Sequence, residues 1–408
     1  MKKLMMFIIG AAIVSGCCLA GNGPKDSGTT FAKDALAPYV ENGQLPGAIN
    51  VFYKDGLQEA ACVGYADVEA KRPITMDDVF MQCSQTKGFC GVTIAMLVEE
   101  GKITLDDPVS KYLPEFKELW VLESNTNGVK TLVRAKNALT VRMALNHTGG
   151  FPFEICAKQG NLKGGGWSGG APLRQTAAIA AACPLLFEPG TKVQYSNTGI
   201  DIGAAVVEVV TGQRWEAFLK QRVLDPLGMA SSSFKPTDQQ LKTQVEMYDC
   251  VKDAPAKHRL QNEMQQRPYN DDHVFASAGA GLWTTASDQL KFYKMLMNLG
   301  AGENGARILK EETVKELLAK STRPKGLGGY SLGLSAPEED KEDAWFGHGG
   351  AWGTNCMVNW HRKQLKLWAV QLCGNPRPWD KARAAAEEKF FKTAIDNSGA
   401  NAYTGRVK

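Results

Sequence analysis

A serine and a lysine three residues apart open an apolar segment, and this pairing constrains the chain more than any other feature. Ser84 and Lys87 are followed by an apolar run over residues 89–98, which Gly101 ends. Because positions i and i+3 lie on one face of an α-helix, the Ser84 hydroxyl and the Lys87 amine can meet in one pocket. A serine hydroxyl becomes a useful nucleophile only when a neighbouring base accepts its proton. The spacing predicts a helix whose first turn carries a nucleophile, although such tetrads also arise by chance at ordinary helix starts.

Two further polar triplets follow at large spacings. Tyr195-Ser196-Asn197 lies after a Pro189-Gly190 turn and before a helical pattern over residues 200–210. His348-Gly349-Gly350 lies just before a run with strand character over residues 356–360. Penicillin-recognising enzymes combine S-x-x-K with a second polar triplet and a third triplet that contains lysine. In order and spacing the three motifs resemble the class C β-lactamase-like serine hydrolases, which include D-Ala-D-Ala carboxypeptidases, D-amino-acid peptidases and family VIII carboxylesterases.

The resemblance extends to segments between and around these motifs. One of them is a histidine-threonine-glycine-glycine segment in which Gly149 stands where the family usually has serine. The matching segments are residues 145–150, 189–190, 195–199, 225–229 and 279–285. The similarity as a whole runs over roughly residues 34–392, which is most of the chain.

The resemblance implies an α+β fold, an α/β sandwich of the β-lactamase/transpeptidase type. In this fold an antiparallel sheet is flanked by helices and carries an inserted helical subdomain. Residues 48–53 and 60–63 predict a hairpin around an Asp55-Gly56 turn. Residues 354–360 and 365–373 predict a second strand pair. We expect the two pairs to join one antiparallel sheet.

We expect a single catalytic domain followed by a short tail. The domain covers residues 34–395, with an α/β part at about 34–101 and 271–395, a helix-rich insertion at about 102–270, a last helix at 379–394, and the tail at 396–408. A crevice between the two parts is the natural place for a substrate.

The N-terminus is typical of an export signal. Lys2 and Lys3 precede an apolar run over residues 4–14, which is shorter than the roughly 20 residues that a membrane-spanning helix needs. The following Ser15-Gly16-Cys17 resembles the lipobox of bacterial lipoproteins. We therefore expect a signal peptide over residues 1–16, lipidation of Cys17, a flexible tether over residues 17–33, and a lipid-anchored protein in the bacterial cell envelope. Cleavage after Ala20, which would release a soluble periplasmic protein, is the alternative.

Composition excludes several kinds of partner and cofactor. Removing residues 1–16 takes away two lysines and lowers the net charge from +4 to +2, which is too small to favour nucleic acid. Two of the ten cysteines lie in the signal region, and the remaining eight permit disulfides whose pairing the sequence does not choose. No C-x-x-C pair exists, so a zinc site is not expected. We expect no metal and no cofactor, and a small-molecule or peptide substrate.

The resemblance makes Ser84 the nucleophile and leaves the proton acceptor open between Tyr195 and Lys87. Holding a free lysine neutral at pH 7 costs about 4–5 kcal/mol, and ionising a free tyrosine costs about 4 kcal/mol. Burial opposes the ion in each case, but a phenolate beside an ammonium offsets that cost. We favour Tyr195 as the general base beside a cationic Lys87, with the two titrating as a coupled pair.

Other residues acquire roles from the same resemblance. Asn197 would direct its amide at Lys87 and the substrate, and it is also a candidate helix N-cap. The backbone N–H groups of Ser84 and Ala351 would form the oxyanion hole. Gly349 and Gly350 would let the strand backbone approach the substrate. Tyr330 and Trp352 flank the third motif as candidates for the substrate pocket.

Position 348 departs from the β-lactamases, which have lysine there. With an ordinary pKa of about 6.5, His348 would be about one-quarter charged at pH 7 and would gain charge toward pH 6. A neutral imidazole attracts a substrate carboxylate far less than lysine does. Some carboxypeptidases and esterases of the family also have histidine here. The substitution thus leaves hydrolysis intact and argues against efficient β-lactam turnover.

The sequence therefore predicts an exported serine hydrolase that works through a Ser84 acyl-enzyme on an ester, amide or D-amino-acid peptide bond. Two alternatives remain open: a penicillin-binding or sensor protein that is acylated without turnover, and a true class C-like β-lactamase. A G-x-S-x-G match at residues 166–170 sits in a glycine-rich loop rather than between a strand and a helix, which disfavours Ser168 as the nucleophile.

The lipobox-like segment generates a prediction about the mature N-terminus. In a bacterial host we expect mass spectrometry to find acyl chains on Cys17 as the first residue. A mature chain that begins at Gly21 without acyl chains would instead show cleavage by ordinary signal peptidase.

Overall fold

The computed structural model describes residues 31–153, 171–259 and 275–404, with side chains described as far as residue 394. The strands are β1 Gly47–Lys54, β2 Leu57–Asp67, β3 Arg72–Pro73, β4 Phe80–Met81, β5 Trp120–Thr126, β6 Val129–Arg134, β7 Tyr248–Asp249, β8 Lys257–His258, β9 Trp283–Thr284, β10 Phe346–Gly350, β11 Thr354–Asn359, β12 Gln364–Ala369 and β13 Leu372–Cys373. The α-helices are α1 Phe31–Glu41, α2 Thr86–Glu99, α3 Val141–Leu145, α4 Leu173–Ala181, α5 Asn197–Thr211, α6 Trp215–Leu219, α7 Asp225–Leu227, α8 Asp238–Leu241, α9 Ala286–Met297, α10 Glu311–Leu317 and α11 Asp380–Thr404. A π-helical turn, Lys220–Leu224, joins α6 to α7.

An antiparallel sheet of six strands, in the order β10-β11-β12-β1-β2-β3, forms the centre of the fold. Side chains of β1 alternate between two covered faces, which explains why nearly the whole strand is buried. Phe52 packs under α1 and α11 with Ala386 and Phe390. Ile49 and Val51 face the opposite way, into the main core that includes α2 and α9. The sheet is therefore the middle layer of a three-layer sandwich.

Both predicted strand pairs join this sheet, so the expected α+β architecture is confirmed. Asp55 and Gly56 both have positive φ, 48° and 89°, as a two-residue hairpin turn between twisted strands requires. The predicted strand over residues 365–373 is divided, because β12 ends at Ala369 and β13 pairs in parallel with β7 in a separate small sheet.

The structure corrects several expected boundaries. Helix α1 begins at Phe31, and α11 extends to Thr404, so most of the expected tail is helical. The expected helix-rich insertion also contains the β5–β6 hairpin, whose Asn127 and Gly128 turn residues both have positive φ. An Asn-Gly pair between apolar alternating residues is a recognised hairpin signal, and it was available in the sequence. The expected signal peptide, Cys17, the tether as far as residue 30, and the G-x-S-x-G segment all lie outside the described residues.

Helix α2 runs through the middle of the domain and is buried on every side from Thr86 to Leu97. A helix that is apolar all round belongs inside a core, because no face of it favours water. Helix α5 of the insertion packs against it, as does the segment at Leu332. It ends at Gly101, whose φ of 68° is the left-handed conformation common after helices. Any polar side chain in its first turn is consequently held far from bulk water.

Within the described residues, no helix combines the length and apolarity that crossing a membrane requires. The seven cysteines that the structure describes are free thiols.

The packing of α2 generates a stability prediction. A Cβ on Gly91 would lie 1.7 Å from the Leu332 carbonyl oxygen, a backbone atom that cannot move away without shifting its segment. Overpacking of this kind typically costs about 1–3 kcal/mol, so Gly91→Ala should lower the free energy of unfolding by at least about 2 kcal/mol in urea titrations.

Gly203 on α5 is a matched control. The one close contact of its Cβ would be with the end of the Leu145 side chain, at 2.7 Å, and that end can change rotamer. We expect Gly203→Ala to change stability far less. Equal losses in the two variants would show that the Leu332 contact does not limit α2.

Candidate active site

Ser84 lies in a short 3₁₀ turn, Cys83–Gln85, directly before α2. Cys83 has φ +52°, an unusual conformation for a non-glycine residue and one found often at functional sites. The Thr86 hydroxyl donates to the Cys83 carbonyl oxygen at 2.7 Å and closes the turn. The backbone next to Ser84 is buried, whereas Ser84 itself is partly exposed. The turn thus presents one hydroxyl to solvent from an otherwise buried segment.

The Lys87 ammonium group is fully buried and makes hydrogen bonds to three elements of the fold. Its Nζ donates to Ser84 Oγ at 3.1 Å, to Asn197 Oδ1 at 2.5 Å and to the Gly279 carbonyl oxygen at 2.6 Å. An ammonium group has three N–H donors, so these three acceptors match its charged form. The structure therefore brings together the serine and lysine of the first motif and the asparagine of the second.

Asn197 is the first residue of α5, but it is not the N-cap. Ser196 occupies that position, and its side chain accepts from the Gly199 N–H at 3.1 Å. The Asn197 amide is consequently free of a capping role and contacts Lys87. Gly279 makes this approach possible, because a Cβ there would lie 2.7 Å from the Asn197 Cβ. Sequence analysis recognised the segment around Gly279 without finding its role as an acceptor for Lys87.

The Tyr195 ring lies against the Lys87 ammonium group. Lys87 Nζ lies 4.7 Å from the centre of the Tyr195 ring, and the Tyr195 hydroxyl hydrogen-bonds to Ser84. Burial raises the pKa of Tyr195 to about 12, an effect that the hydrogen bond from Ser84 opposes only in part. Ionising it at pH 7 would cost roughly 7 kcal/mol, more than for a free tyrosine. Tyr195 is thus a neutral phenol in the resting site.

The expectation that His348 is partly charged at neutral pH is wrong. Its ring is 6% exposed, Nε2 accepts from the Tyr330 hydroxyl at 2.9 Å, and Nδ1–H donates to the Gly349 carbonyl oxygen at 2.5 Å. Burial, and then the positive charge of Lys87, lower the pKa of His348 to about 3. Both ring nitrogens are therefore occupied by the protein, and the ring does not gain charge between pH 8 and pH 6.

The His147 ring packs against the Tyr195 ring. Its ring centre lies 4.4 Å from that of Tyr195 and 4.5 Å from that of Tyr330, and its Nδ1 accepts from the Ser196 N–H at 3.3 Å. Burial holds the pKa of His147 well below its usual value. His147 is thus a structural hydrogen-bonding residue beside the reacting groups.

The end of β10 closes against the Ser84 turn. A Cβ on Gly350 would lie 2.4 Å from the Gln82 carbonyl oxygen, so only glycine fits this approach. The amide groups of Ala351 and Trp352 lie beside the Cys83 thiol, whose pKa burial raises to about 12. The two segments predicted to supply the oxyanion hole are thus neighbours, and Cys83 is a buried, unreactive core residue.

Two residues expected at the substrate pocket are largely buried. Tyr330 is bonded to His348, and Trp352 packs in an apolar cluster with Met81, Cys83 and Trp283. Phe153, which sequence analysis did not single out, is half exposed and stacks on Tyr195 with ring centres 6.0 Å apart. No motif marks this phenylalanine, because its importance comes only from the neighbour that the fold gives it.

Comparison with known proteins agrees with this geometry. A family model described as Beta-lactamase matches residues 32–373, which is most of the chain. The chain belongs to the beta-lactamase family. The match places it among the serine hydrolases that share the β-lactamase fold, and the family resemblance of its motifs is confirmed.

Individual relatives are distant. Protein Rv1367c of Mycobacterium tuberculosis is 28% identical over 363 residues, covering 83% of this chain and 89% of the relative. Esterase EstB of Burkholderia gladioli is 29% identical over 265 residues, covering 61% and 64%. Among solved structures, simvastatin synthase from Aspergillus terreus superposes with a TM-score of 0.72 at 21% identity, covering 91% of this chain and 100% of that one. EstCE1, described as a hydrolase with promiscuous acyltransferase activity, gives 0.70 at 22%, with 88% and 100% covered. At these identities the structural likenesses show the fold alone.

The neutral state of His348 generates a prediction about stability and pH. Its pKa is lower in the folded chain than the ordinary 6.5, so the unfolded chain binds the proton more tightly and stability falls as the pH drops below about 6.5. Between pH 7 and pH 5 this contribution amounts to about 2 kcal/mol. From pH 7 to pH 5 the free energy of unfolding should therefore fall by about 2 kcal/mol less in His348→Gln than in wild type. Equal falls in both proteins would mean that His348 is protonated in the folded state.

Proposed function

We propose that the protein hydrolyses an ester, amide or D-amino-acid peptide bond through an acyl-enzyme on Ser84. The observation that carries the proposal is the contact of Ser84 Oγ with Lys87 Nζ, which itself lies against the Tyr195 ring. A partly exposed hydroxyl held between an ammonium and a phenol at the mouth of a buried site has the arrangement of an activated nucleophile.

Acylation begins when Ser84 Oγ attacks the carbonyl carbon of the substrate. The serine proton passes to the Tyr195–Lys87 pair, which acts as one coupled acceptor once it has released one proton to solvent. The backbone N–H groups of Ser84 and Ala351 bind the oxyanion, and loss of one such donor typically costs about 3–4 kcal/mol. The leaving alcohol or amine takes the proton, and water then releases the acyl group by the reverse route.

The high pKa of Tyr195 decides how the proton moves. A neutral phenol cannot accept a second proton, so Tyr195 must first release its own proton to solvent, which its raised pKa makes costly. The resulting phenolate beside the Lys87 ammonium then accepts the serine proton. Lys87 stabilises that charge from its position 4.7 Å from the ring centre. This account keeps Tyr195 as the general base and requires Lys87 to be cationic beside it.

Substrates without a carboxylate next to the scissile bond suit this site. Where β-lactamases have lysine, His348 is neutral and both its nitrogens are bonded within the protein. A substrate carboxylate would therefore find no charge at this position. Half-exposed Phe153 beside Tyr195 adds an apolar wall. The relative named as an esterase supports this reading of the substrate class.

We further propose that the enzyme is exported and anchored to the bacterial cell envelope by a lipid on Cys17. Support comes from the apolar segment over residues 4–14 and the Ser15-Gly16-Cys17 sequence that follows it. In that location the active site would face the periplasm and act on small molecules or peptides there.

The proposed function is tested with a fluorophosphonate label and two substrates. Wild type should label, Ser84→Ala should not, and Ser168→Ala should label normally. Wild type should also cleave a short-chain p-nitrophenyl ester at least about tenfold more efficiently than a cephalosporin, because a charge-assisted hydrogen bond to the carboxylate is missing. That ratio should stay flat from about pH 8 to about pH 6, a range that spans the ordinary histidine pKa.

Each other outcome has a definite meaning. Loss of labelling in Ser168→Ala rather than Ser84→Ala would move the nucleophile to the G-x-S-x-G segment. Stable labelling by a fluorescent penicillin without any turnover of ester or peptide would identify a penicillin-binding protein, and efficient cephalosporin hydrolysis would identify a β-lactamase.

A further inference from the structure

A buried carboxylate lies behind the active site and has no part in the mechanism described so far. Asp201 is on α5, one turn after Asn197, and positions i and i+4 share a helix face. It is only 6% exposed. Burying a carboxylate is costly unless it is hydrogen-bonded and paired with an opposite charge, so the position of Asp201 calls for an explanation.

The Asp201 contacts lead to Lys87 through one residue. Asp201 Oδ1 accepts from the Gly279 N–H and from the Ser277 hydroxyl, each at 3.1 Å. On its other side Gly279 offers its carbonyl oxygen to Lys87 Nζ at 2.6 Å. A single residue therefore connects the carboxylate to the ammonium, and its orientation is held from the carboxylate side.

The charges around Asp201 are few. Among the described side chains, the titratable groups that face it are Lys87 and Cys90, both on α2. The Cys90 thiol donates to the Ile200 carbonyl oxygen at 3.6 Å, and burial holds its pKa well above the usual value, so it carries no charge. Burial raises the pKa of Asp201 to about 7, while the Gly279 and Ser277 hydrogen bonds and the charge of Lys87 act to lower it.

Ser84, Asn197 and Gly279 each offer Lys87 a neutral oxygen. Neutral acceptors solvate an ammonium but do not balance its charge, and an opposite charge nearby favours the charged form. We propose that Asp201 is a positioning residue that fixes the Gly279 carbonyl and supplies the counter-charge that keeps Lys87 an ammonium while Ser84 reacts. This proposal rests on the proposed function and extends it by naming what maintains the charge of its lysine.

Asp201→Asn is the direct test, because the side-chain oxygen can still accept from Gly279 and Ser277 while the charge is removed. The measurement is the rate of Ser84 labelling by a fluorophosphonate from pH 6 to pH 10. Without the counter-charge Lys87 loses its proton more easily, so the alkaline limb of the profile should move to lower pH by about one unit. At a pH above the alkaline limbs of both proteins, the variant should then be labelled up to about tenfold more slowly than wild type.

A purely structural role for Asp201 would lower the rate by the same factor at every pH and leave the limb in place, and that result would overturn the proposal. Glu208→Gln is the matched control, since Glu208 is a half-buried carboxylate on the same helix that bonds to the Trp215 N–H. Its profile should match wild type.

Two further measurements keep the test decisive. Ser277→Ala removes one donor and makes Asp201 harder to ionise. It should therefore move the alkaline limb in the same direction by a smaller amount, and this test remains available if Asp201→Asn folds poorly.

Asp201 has a raised pKa, so wild type loses stability as pH rises through about 7. The melting temperature of Asp201→Asn relative to wild type should therefore rise between pH 5 and pH 8.

An unmoved limb in both variants, with Ser84-dependent labelling intact in wild type, would refute the counter-charge and leave the proposed function standing. Absence of labelling in wild type, or labelling that survives Ser84→Ala, would instead refute the proposed function.

Discussion

The burial of one lysine ammonium organises this molecule. Lys87 lies where the turn before α2, the start of α5 and the segment around Gly279 meet, and each of these contributes an oxygen to its Nζ. An ammonium taken out of water is tolerated only when its donors are satisfied, so the three segments must approach to within hydrogen-bonding distance. The sheet and its flanking helices set the position of α2, and the insertion brings α5 to it. These two parts of the domain therefore meet at the lysine.

Much of this arrangement was predictable from the chain, for reasons that are local. The Asp55-Gly56 turn and the alternation around it determine a hairpin, and the apolar run after Ser84 determines a buried helix. Ser84, Lys87 and Asn197 belong to motifs with fixed spacing, and the structure brings all three together. The close backbone approach at Gly350 was also predictable, because a strand that comes close to another backbone leaves no room for a side chain.

The rest depends on contacts between residues that are distant in sequence. A histidine ordinarily titrates near neutral pH. Only the contact of His348 with the Tyr330 hydroxyl and its burial in the fold show that it stays neutral. Phe153 and Asp201 stand in no motif, and their meaning comes from Tyr195 and Gly279. The β5–β6 hairpin was missed for a different reason: its Asn-Gly turn was readable, but the family resemblance favoured helices throughout that region.

The pairing of α1 with α11 has a consequence for how the chain is closed. The two helices contact each other on the face of the sheet opposite to α2, so the first and last described elements meet across the sheet from the reacting serine. A linker that joins the start of α1 to the end of α11 would make this part of the chain circular. New ends could then be opened at the exposed Asn127-Gly128 turn, as compact domains often tolerate. The order in which the catalytic segments are synthesised is thus separable from the way they assemble around Lys87.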